Sequence, residues 1–473
     1  MDNFRIAIVG AAGFVGQHLA IALEKKSCIL LLIDSADIQP LPRAQMAKLN
    51  ITDQDKMRSA LGEFKPDLVV HLASMGMSGS AMLSPLCKTV NVHATSKLVD
   101  ICVELSIPNV IYTSSYNVAY GGRAIINGDE SLPYFPIDQH TDQYSPTKAL
   151  AEQLVLKANG RRLKNSGYLK TSCIRPAAIY GIDEKRHLPR IVKHMDTGLF
   201  QFRIGKAMVD WVDIDNLVSS YIQYKKMMIC KDSNSIPAGQ VYCISDGTPI
   251  ENFEFLRPLC HARGKSYPSI VLPTEMMLSV AQVLEGIYHI TQALGCPIEP
   301  FLTRAEVYKV GISHYFSIQK AQKELNYKPI ITSQEGAERI ARKYRETLSN
   351  ENYFDLPTKP WWISILLGMG LLGIVAYSNP DSALMHSVFI YPVNLFALLL
   401  FRSQENLRYL FVAAVVTHAA EATAAIWMAQ VEGCRNTWGL WGIQTFILGY
   451  PSMQLLYRRR ALLKRIQEED KLL

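Results

Sequence analysis

Two groups of residues in this chain have the types and spacing to do chemistry together. Gly10-Ala-Ala-Gly13-Phe-Val-Gly16 follows a short apolar run and opens a segment of helical length. Glycine there permits a tight turn and close backbone approach to a pyrophosphate, whose charge the helix N-terminus then meets. The next apolar run ends in Asp34, 24 residues beyond Gly10. A carboxylate at that point accepts hydrogen bonds from the adenosine ribose and repels a 2′-phosphate, which favours NAD over NADP. A glycine triplet alone is weak evidence, and Asp34 as a loop-capping acid is the plainer alternative.

The second group is Ile111-Tyr-Thr-Ser-Ser115, followed 29 residues later by Tyr144-Ser-Pro-Thr-Lys148. Tyrosine and lysine four apart share a helical face, so the Lys148 ammonium can favour the Tyr144 phenolate and let it exchange a proton near neutral pH. Ser115 is placed to hold the reacting oxygen. The same spacing occurs on ordinary surface helices. The order glycine loop, acid, serine, then tyrosine and lysine sets this chain apart.

The elements that must position these groups follow from periodicity. Arg5 to Val9, Ile29 to Ile33, Asp67 to His71, Val110 to Thr113, Thr171 to Arg175 and Val241 to Ile244 are short apolar runs separated by segments of helical length. They predict an α/β fold, a Rossmann-type doubly wound parallel sheet over residues 1–250. Residues 251–348, with help from 180–240, form a smaller, mostly helical substrate-binding region. The stretch 349–360, polar and proline-bearing, reads as a linker. Met276 to Leu294 reads as an ordinary core helix, with contact to a bilayer as the alternative.

With 473 residues, 49% hydrophobic and 19% charged, the chain is too long for one ordinary domain and too apolar for disorder. Its nine cysteines, at 28, 87, 102, 173, 230, 243, 260, 296 and 434, include no C-x-x-C pair, so neither a metal site nor a disulfide framework is expected. The formal charge of +7 is dispersed, which argues against nucleic acid as a partner.

From Trp361 to Tyr457 there is no lysine and there are only seven charged residues in 97, a membrane composition. Four spans are expected, Trp361 to Ser378, Met385 to Phe401, Tyr409 to Ala429 and Trp438 to Tyr457, with a basic cytosolic tail at 458–473. Lysine and arginine remain cytoplasmic by preference, and they flank the first span, the second-to-third connection (Arg402, Arg408) and the tail (Arg458 to Arg460). Both ends are therefore expected to face the cytosol, at the endoplasmic reticulum membrane, and Met1 to Arg5 runs straight into a strand with no signal peptide. Within the spans, His418 and Glu421 share a face and Gln444 lies in the fourth. Such a group either locks helix packing or carries proton transfer, for instance in a double-bond isomerisation.

On these motifs the chain resembles the extended short-chain dehydrogenase/reductases, in the 3β-hydroxysteroid dehydrogenase/isomerase-like branch. Further matching stretches are His71-Leu-Ala-Ser74, Asn91-Val-His-Ala-Thr95, Ile174-Arg-Pro-Ala-Ala-Ile-Tyr180-Gly181 and Trp211-Val-Asp-Ile-Asp-Asn-Leu217. Ala73-Ser-Met-Gly-Met-Ser-Gly79, Asn127-Gly-Asp-Glu-Ser-Leu-Pro133 and Phe301-Leu-Thr-Arg-Ala-Glu-Val307 resemble its 42E subgroup, and Thr417-His-Ala-Ala-Glu421 resembles a family of four-helix membrane proteins. The resemblance implies Tyr144 as acid/base, Lys148 as its activator and ribose ligand, and Ser115 as the hydroxyl-orienting residue. It implies NAD contacts at Gly10, Gly13, Phe14, Val15, Gly16, Asp34, Asn50, Ile51, Leu72, Ala73, Asn91, Tyr144, Lys148, Pro176 and Ile179. Asn50 stands where the family usually has an aspartate, and Ala94 where it has a glycine. The implied substrate is a lipophilic steroid or sterol carrying a 3β-hydroxyl, oxidised with or without Δ5-to-Δ4 isomerisation. A sterol 4-carboxylate with decarboxylation is the neighbouring variant, and a non-catalytic nucleotide-binding scaffold the reading from another class. Self-association is left open.

Overall fold

Each of the six apolar runs becomes a strand of one sheet in the computed structural model, which describes all residues except 1–3, 197–199, 230–236, 297, 351–352, 358 and 471–473. Cys230 and the end of the basic tail thus lie outside the described residues. The strands are β1 (Arg5–Val9), β2 (Ile29–Asp34), β3 (Ala44–Lys48), β4 (Leu68–His71), β5 (Asn109–Thr113), β6 (Lys170–Pro176) and β7 (Val241–Ile244). Their order is β7-β6-β5-β4-β1-β2-β3, and every pairing is parallel. The chain reverses its direction of travel across the sheet between β1 and β4, which opens a crevice beyond their C-terminal ends.

Burial on both faces explains the unbroken apolar runs. Ile6, Ile8, Leu30, Leu32, Val70 and Ile111 pack into one core, and Ala7, Val9, Leu31, Ile33, Val69 and Val110 into the other, at the period of two a strand imposes. β3, Ala-Gln-Met-Ala-Lys, is a partly exposed edge strand held by its backbone pairing to β2, and it carries no apolar run to announce it.

The helices α1 (Phe14–Glu24), α2 (Gln54–Phe64), α3 (Ala94–Glu104), α4 (Tyr144–Lys157), α5 (His187–Asp196), α6 (Ile214–Ile229) and α7 (Asn252–Ala262) follow in order. The start of α4 is fixed by Asp142, whose carboxylate accepts from the Ser145 N–H (2.6 Å) and hydroxyl (2.9 Å). Next come α8 (Thr274–Ala293) and α9 (Arg304–Gly311), whose Thr303/Glu306 capping box begins α9. Phe202–Ile204 pairs in parallel with Ile270–Leu272, so the substrate lobe does draw on both stretches of sequence.

α8 is not a core helix. Only Met277, Ala281, Glu285 and Tyr288 are buried on it, whereas Met276, Val280, Val283, Ile287, Ile290 and Leu294 are exposed. These six recur at alternating steps of four and three, a stripe down one face. Glu285 on the inner face is paired with Arg304 at 2.7 Å.

The chain divides into two compact units, residues 1–261 with 265–340, and residues 341–473 with 262–264. In the second unit lie α10 (Lys359–Tyr377), α11 (Ile390–Phe401), α12 (Gln404–Val431), α13 (Trp438–Leu448) and α14 (Tyr450–Asp470). Two of them, Pro360–Tyr377 and Gln404–Val431, are long and apolar enough to cross a membrane. The other two expected spans fold differently. Ile390–Phe401 has 12 residues, about 18 Å of helix against a hydrocarbon core of about 30 Å. Trp438 to Tyr457 is broken at Gly449 (φ +63°), followed by Pro451, which has no N–H to continue the helix.

Contacts within this unit show where the chain ends up. Gln404 donates to the Val375 and Ser378 carbonyls (3.1 and 2.8 Å) and Arg408 to that of Ala376 (2.9 Å), so α12 begins beside the end of α10. At the other end, Thr437 and Trp441 donate to the Tyr353 carbonyl (2.8 and 3.2 Å), and Arg460 pairs with Glu432 at 3.1 Å. Arg402 and Arg408 are therefore at the opposite end from Arg458 to Arg460, contrary to the four-span expectation. The basic tail continues α14 as helix, and α13 and α14 form a hairpin that returns to the end it left. His418 donates from Nδ1 to the Phe446 carbonyl (3.0 Å), and both His418 and Glu421 lie against Gly449 at the break. Gln444 instead donates to the Ser452 hydroxyl (3.0 Å) and the Asp355 carbonyl (3.1 Å).

Candidate active site

The crevice between β1 and β4 is built around Gly10. Its φ of +99° is strained for any residue with a side chain, and a Cβ there would come within 2.5 Å of the Ala73 backbone nitrogen. The Gly10 and Ala11 N–H groups donate to the Ile33 carbonyl (2.8 and 3.1 Å), and those of Leu72 and Ala73 to the Val9 carbonyl (2.8 and 2.9 Å). A Cβ on Gly16 would meet the Gly10 carbonyl at 2.3 Å, so α1 closes directly onto the loop. Gly13, at φ −69°, is the N-cap of α1 and has no capping side chain, and the first turn carries no acid. That helix end is left open to an anion, with Phe14 and Val15 half-buried in its first turn.

Asp34 accepts from the Ala12 N–H and the Ala36 N–H, each at 3.0 Å, one per carboxylate oxygen. Each oxygen keeps a lone pair, so the acid braces the glycine loop and can still receive ribose hydroxyls. Asn50 turns its carbonyl oxygen to the Thr52 N–H (3.0 Å) and hydroxyl (2.9 Å), beside half-buried Ile51, which leaves its amide as the outward donor. These residues fit a dinucleotide: a backbone cradle with no room for side chains, an open helix end and a ribose acceptor.

Asn91 is placed otherwise than the resemblance implies. Its oxygen accepts from the Met75 N–H (2.8 Å) and Ser74 hydroxyl (3.2 Å), and its amide donates to the Met75 carbonyl (2.9 Å) and Thr147 hydroxyl (3.0 Å). All four hydrogen-bonding positions are spent, and Thr147 in turn donates to the Tyr144 carbonyl (2.7 Å). Asn91 is thus a positioning residue that ties the segment after β4 to the first turn of α4.

Tyr144 opens α4 and is buried, with Ser115 at the end of β5 also buried. Burial raises the Tyr144 phenol above its ordinary range; hydrogen bonding to Ser115 pulls it back, Asp142 raises it further, and the Ser74 hydroxyl and Arg186 charge lower it. Ser74 received no role from the sequence, where only its place in the matching stretch His71-Leu-Ala-Ser74, three residues past the strand, marks it. Lys148 is buried, and its ammonium donates to the Thr113 carbonyl and sits 4.2 Å from the Tyr112 ring centre. Burial takes its pKa down to about 7. The amine is therefore poised between charge states one turn below the tyrosine, rather than bonded to its hydroxyl.

His71 lies beneath this cluster. The Thr95 hydroxyl donates to the Asn91 carbonyl (2.7 Å), so His71 Nε2 must be the donor to Thr95 (2.8 Å), which leaves Nδ1 bare and unpartnered. Burial, with the Lys148 charge adding, takes its pKa to about 3, so the ring is neutral. Pro176 ends β6, and Ile179 belongs to Ala178–Tyr180, which pairs with Trp211–Asp213; both are at the same edge of the sheet as Ser115. Once its own proton has left, Tyr144 can accept one from an alcohol, with the Ser115 hydroxyl orienting the oxygen.

Residues 7–274 match the 3-beta hydroxysteroid dehydrogenase/isomerase family, and residues 360–458 match transmembrane protein 254. Short-chain dehydrogenase/reductase family 42E member 1 of Homo sapiens is 42% identical over 329 residues, covering 68% of this chain and 83% of that protein. An Arabidopsis thaliana 3beta-hydroxysteroid-dehydrogenase/decarboxylase, isoform 1, is 31% identical over 356 residues, covering 70% and 77%. The fold is shared with MoeE5, solved with UDP-glucuronic acid and NAD, at 18% identity and a TM-score of 0.54 over 72% of this chain and 99% of that one. With its glycine cradle, Asp34 and the Ser115, Tyr144 and Lys148 set in place, the chain belongs to the 3-beta hydroxysteroid dehydrogenase/isomerase family, NAD-dependent oxidoreductases that act on a CH–OH group.

Proposed function

We propose that the chain is a membrane-anchored, NAD-dependent dehydrogenase of a 3β-hydroxyl on a steroid or sterol. The observation that carries this reading is the burial together of Tyr144 at the start of α4, Lys148 one turn on and Ser115 just after β5, with an uncapped glycine-lined helix end in the same unit. NAD held by the Gly10 loop and Asp34 supplies the hydride acceptor. Tyr144 takes the alcohol proton while Ser115 holds the oxygen, and Lys148 offsets the charge that Tyr144 carries between turnovers. Asn91 and Thr147 keep the first turn of α4 in register with the segment after β4.

The two apolar helices anchor the enzyme, at the endoplasmic reticulum membrane on this reading, with the catalytic unit and the basic end both on the cytosolic side. Two crossings return the chain to its starting side as four would. The sterol 4-carboxylate variant is favoured by the plant dehydrogenase/decarboxylase relative. Oxidation there would yield a β-keto acid, which loses carbon dioxide. The test is a cofactor-reduction screen of the purified chain against 3β-hydroxysteroids, sterols and sterol 4-carboxylates, with product analysis for Δ4 ketones. NAD binding without reduction by any of them would retire the dehydrogenase reading in favour of a nucleotide-binding scaffold.

A further inference from the structure

Lys225 on α6 is 9% exposed and makes no ion pair among the described residues. A buried amine normally demands a carboxylate. Its Nζ instead lies 2.8 Å from the Sγ of Cys28, which is 1% exposed, and 5.6 Å from the centre of the Phe4 ring. That separation is as short as an N–H···O hydrogen bond although sulfur is the larger atom. Lys225 donates to the sulfur, which is turned to the Lys26 carbonyl (3.9 Å), so the amine nitrogen and the sulfur are in direct contact with no group between them.

Position adds a second argument. Cys28 precedes β2, at the edge of the sheet opposite the crevice, and follows directly on an exposed turn, Lys25 to Ser27, in which Ser27 has φ +58°. A small oxidant therefore needs to displace only one turn to reach the sulfur. Among the described cysteines, Cys28 is the one whose sulfur accepts a hydrogen bond from a lysine amine, and Cys296 is the one exposed.

We propose that Cys28 and Lys225 form a reversible covalent bridge through one oxygen atom, Sγ–O–Nζ, under peroxide. In the first step the sulfur attacks the peroxide O–O bond, gains a hydroxyl and releases water, giving a sulfenic acid. In the second, another peroxide accepts two electrons as the N–O bond forms, one N–H and the S–O–H bond are lost, and two waters leave. The sum is thiol plus amine plus two hydrogen peroxide to the bridge plus three water. Two equivalents of a dithiol return the thiol, the amine and one water. The bridge joins the residue just before β2 to α6, 197 positions apart, without involving any residue of the active site.

The test treats the full-length protein in detergent with hydrogen peroxide, digests it, and reads the peptides by mass spectrometry. A cross-linked pair carrying Cys28 and Lys225, with the summed mass plus one oxygen less two hydrogens, is expected. It should vanish with dithiothreitol and be missing from Cys28→Ser and from Lys225→Arg, while both variants keep their cofactor-reduction rate. The bridged protein should also melt at a higher temperature than the reduced form, reversibly. Cys28 recovered as a free thiol, as an unlinked sulfinic or sulfonic acid, or in a direct S–N linkage without oxygen would overturn the proposal.

Discussion

Replacing Glu152 with glutamine should unfold the catalytic unit more readily than almost any other single isosteric change. Glu152 is fully buried on α4 and Arg175 nearly so on β6. The carboxylate receives Arg175 Nη2 at 2.6 Å and Nε at 3.1 Å, and the Tyr134 hydroxyl at 2.8 Å. The guanidinium has no other ion-pair partner among the described residues, and its Nη1 is already unpartnered. Glutamine keeps the volume, removes the charge, and turns an N–H₂ toward at least one donor. Breaking a buried pair in this way costs about 3–5 kcal/mol, against a total stability of about 5–15 kcal/mol for a typical domain. The folding equilibrium should fall by a factor of roughly 150 to 5,000, and the melting temperature by about 6–10 °C at about 2 °C per kcal/mol. The assay is thermal unfolding of the full chain in detergent, following the transition that added NAD shifts, since that transition belongs to the first unit. Glu152→Gln with Arg175→Met should recover most of the loss, because a neutral pair leaves no charge stranded. A single variant within about 1 kcal/mol of wild type, or a double variant worse than the single one, would refute the reasoning.

Tyr144→Phe should lower turnover by about 10²–10⁴-fold while leaving NAD affinity unchanged, since the ring still packs but has no proton to exchange; stopped-flow cofactor reduction and a separate binding titration check this. Asp34→Ala should narrow the preference for NAD over NADP, read as the ratio of the two kcat/KM values, and equal wild-type ratios would contradict the assignment. Burial raises the Asp210 carboxyl to about 7, so the stability it contributes is complete below pH 4 and is lost as pH climbs through 7. Asp210→Asn should therefore flatten the fall in melting temperature between pH 5 and 8, with a difference of a few kcal/mol at the upper end; parallel curves for the two proteins would show that the acid is not the cause.

The central sheet was legible because its strands are buried on both faces and so read as unbroken apolar runs between turns. β3 has one exposed side and no such run, and only its pairing to β2 reveals it. The catalytic serine, tyrosine and lysine were legible from spacing, yet the lysine's bond to the Thr113 carbonyl was not, since nothing local links residues 35 positions apart. Asn91 shows the same limit: its partner Thr147 is 56 residues away, so the saturation of its amide is a tertiary fact. On α8, period and composition are the same whether a stripe faces core or solvent, and packing against Ile204 and Val307 selected Met277 and Ala281 instead. In the membrane unit, hydropathy counts residues but does not see a backbone reversal. Gly449 lies inside an apolar stretch, and its positive φ, together with Pro451, turns one expected span into a hairpin.

The close approach of Gly10 to Ala73 has a thermodynamic consequence. Two connections that leave neighbouring strands rest on each other with no space for a methyl group, and their N–H groups are already held by Ile33 and Val9. The nucleotide cradle is thus fully formed before any ligand arrives. Little conformational entropy remains to be lost there on binding, so affinity for the dinucleotide is spent on contacts rather than on ordering a loop. Amide hydrogen exchange at Gly10 and Ala11 should accordingly be as slow in the free protein as in the complex, while the gain in order falls on the substrate lobe.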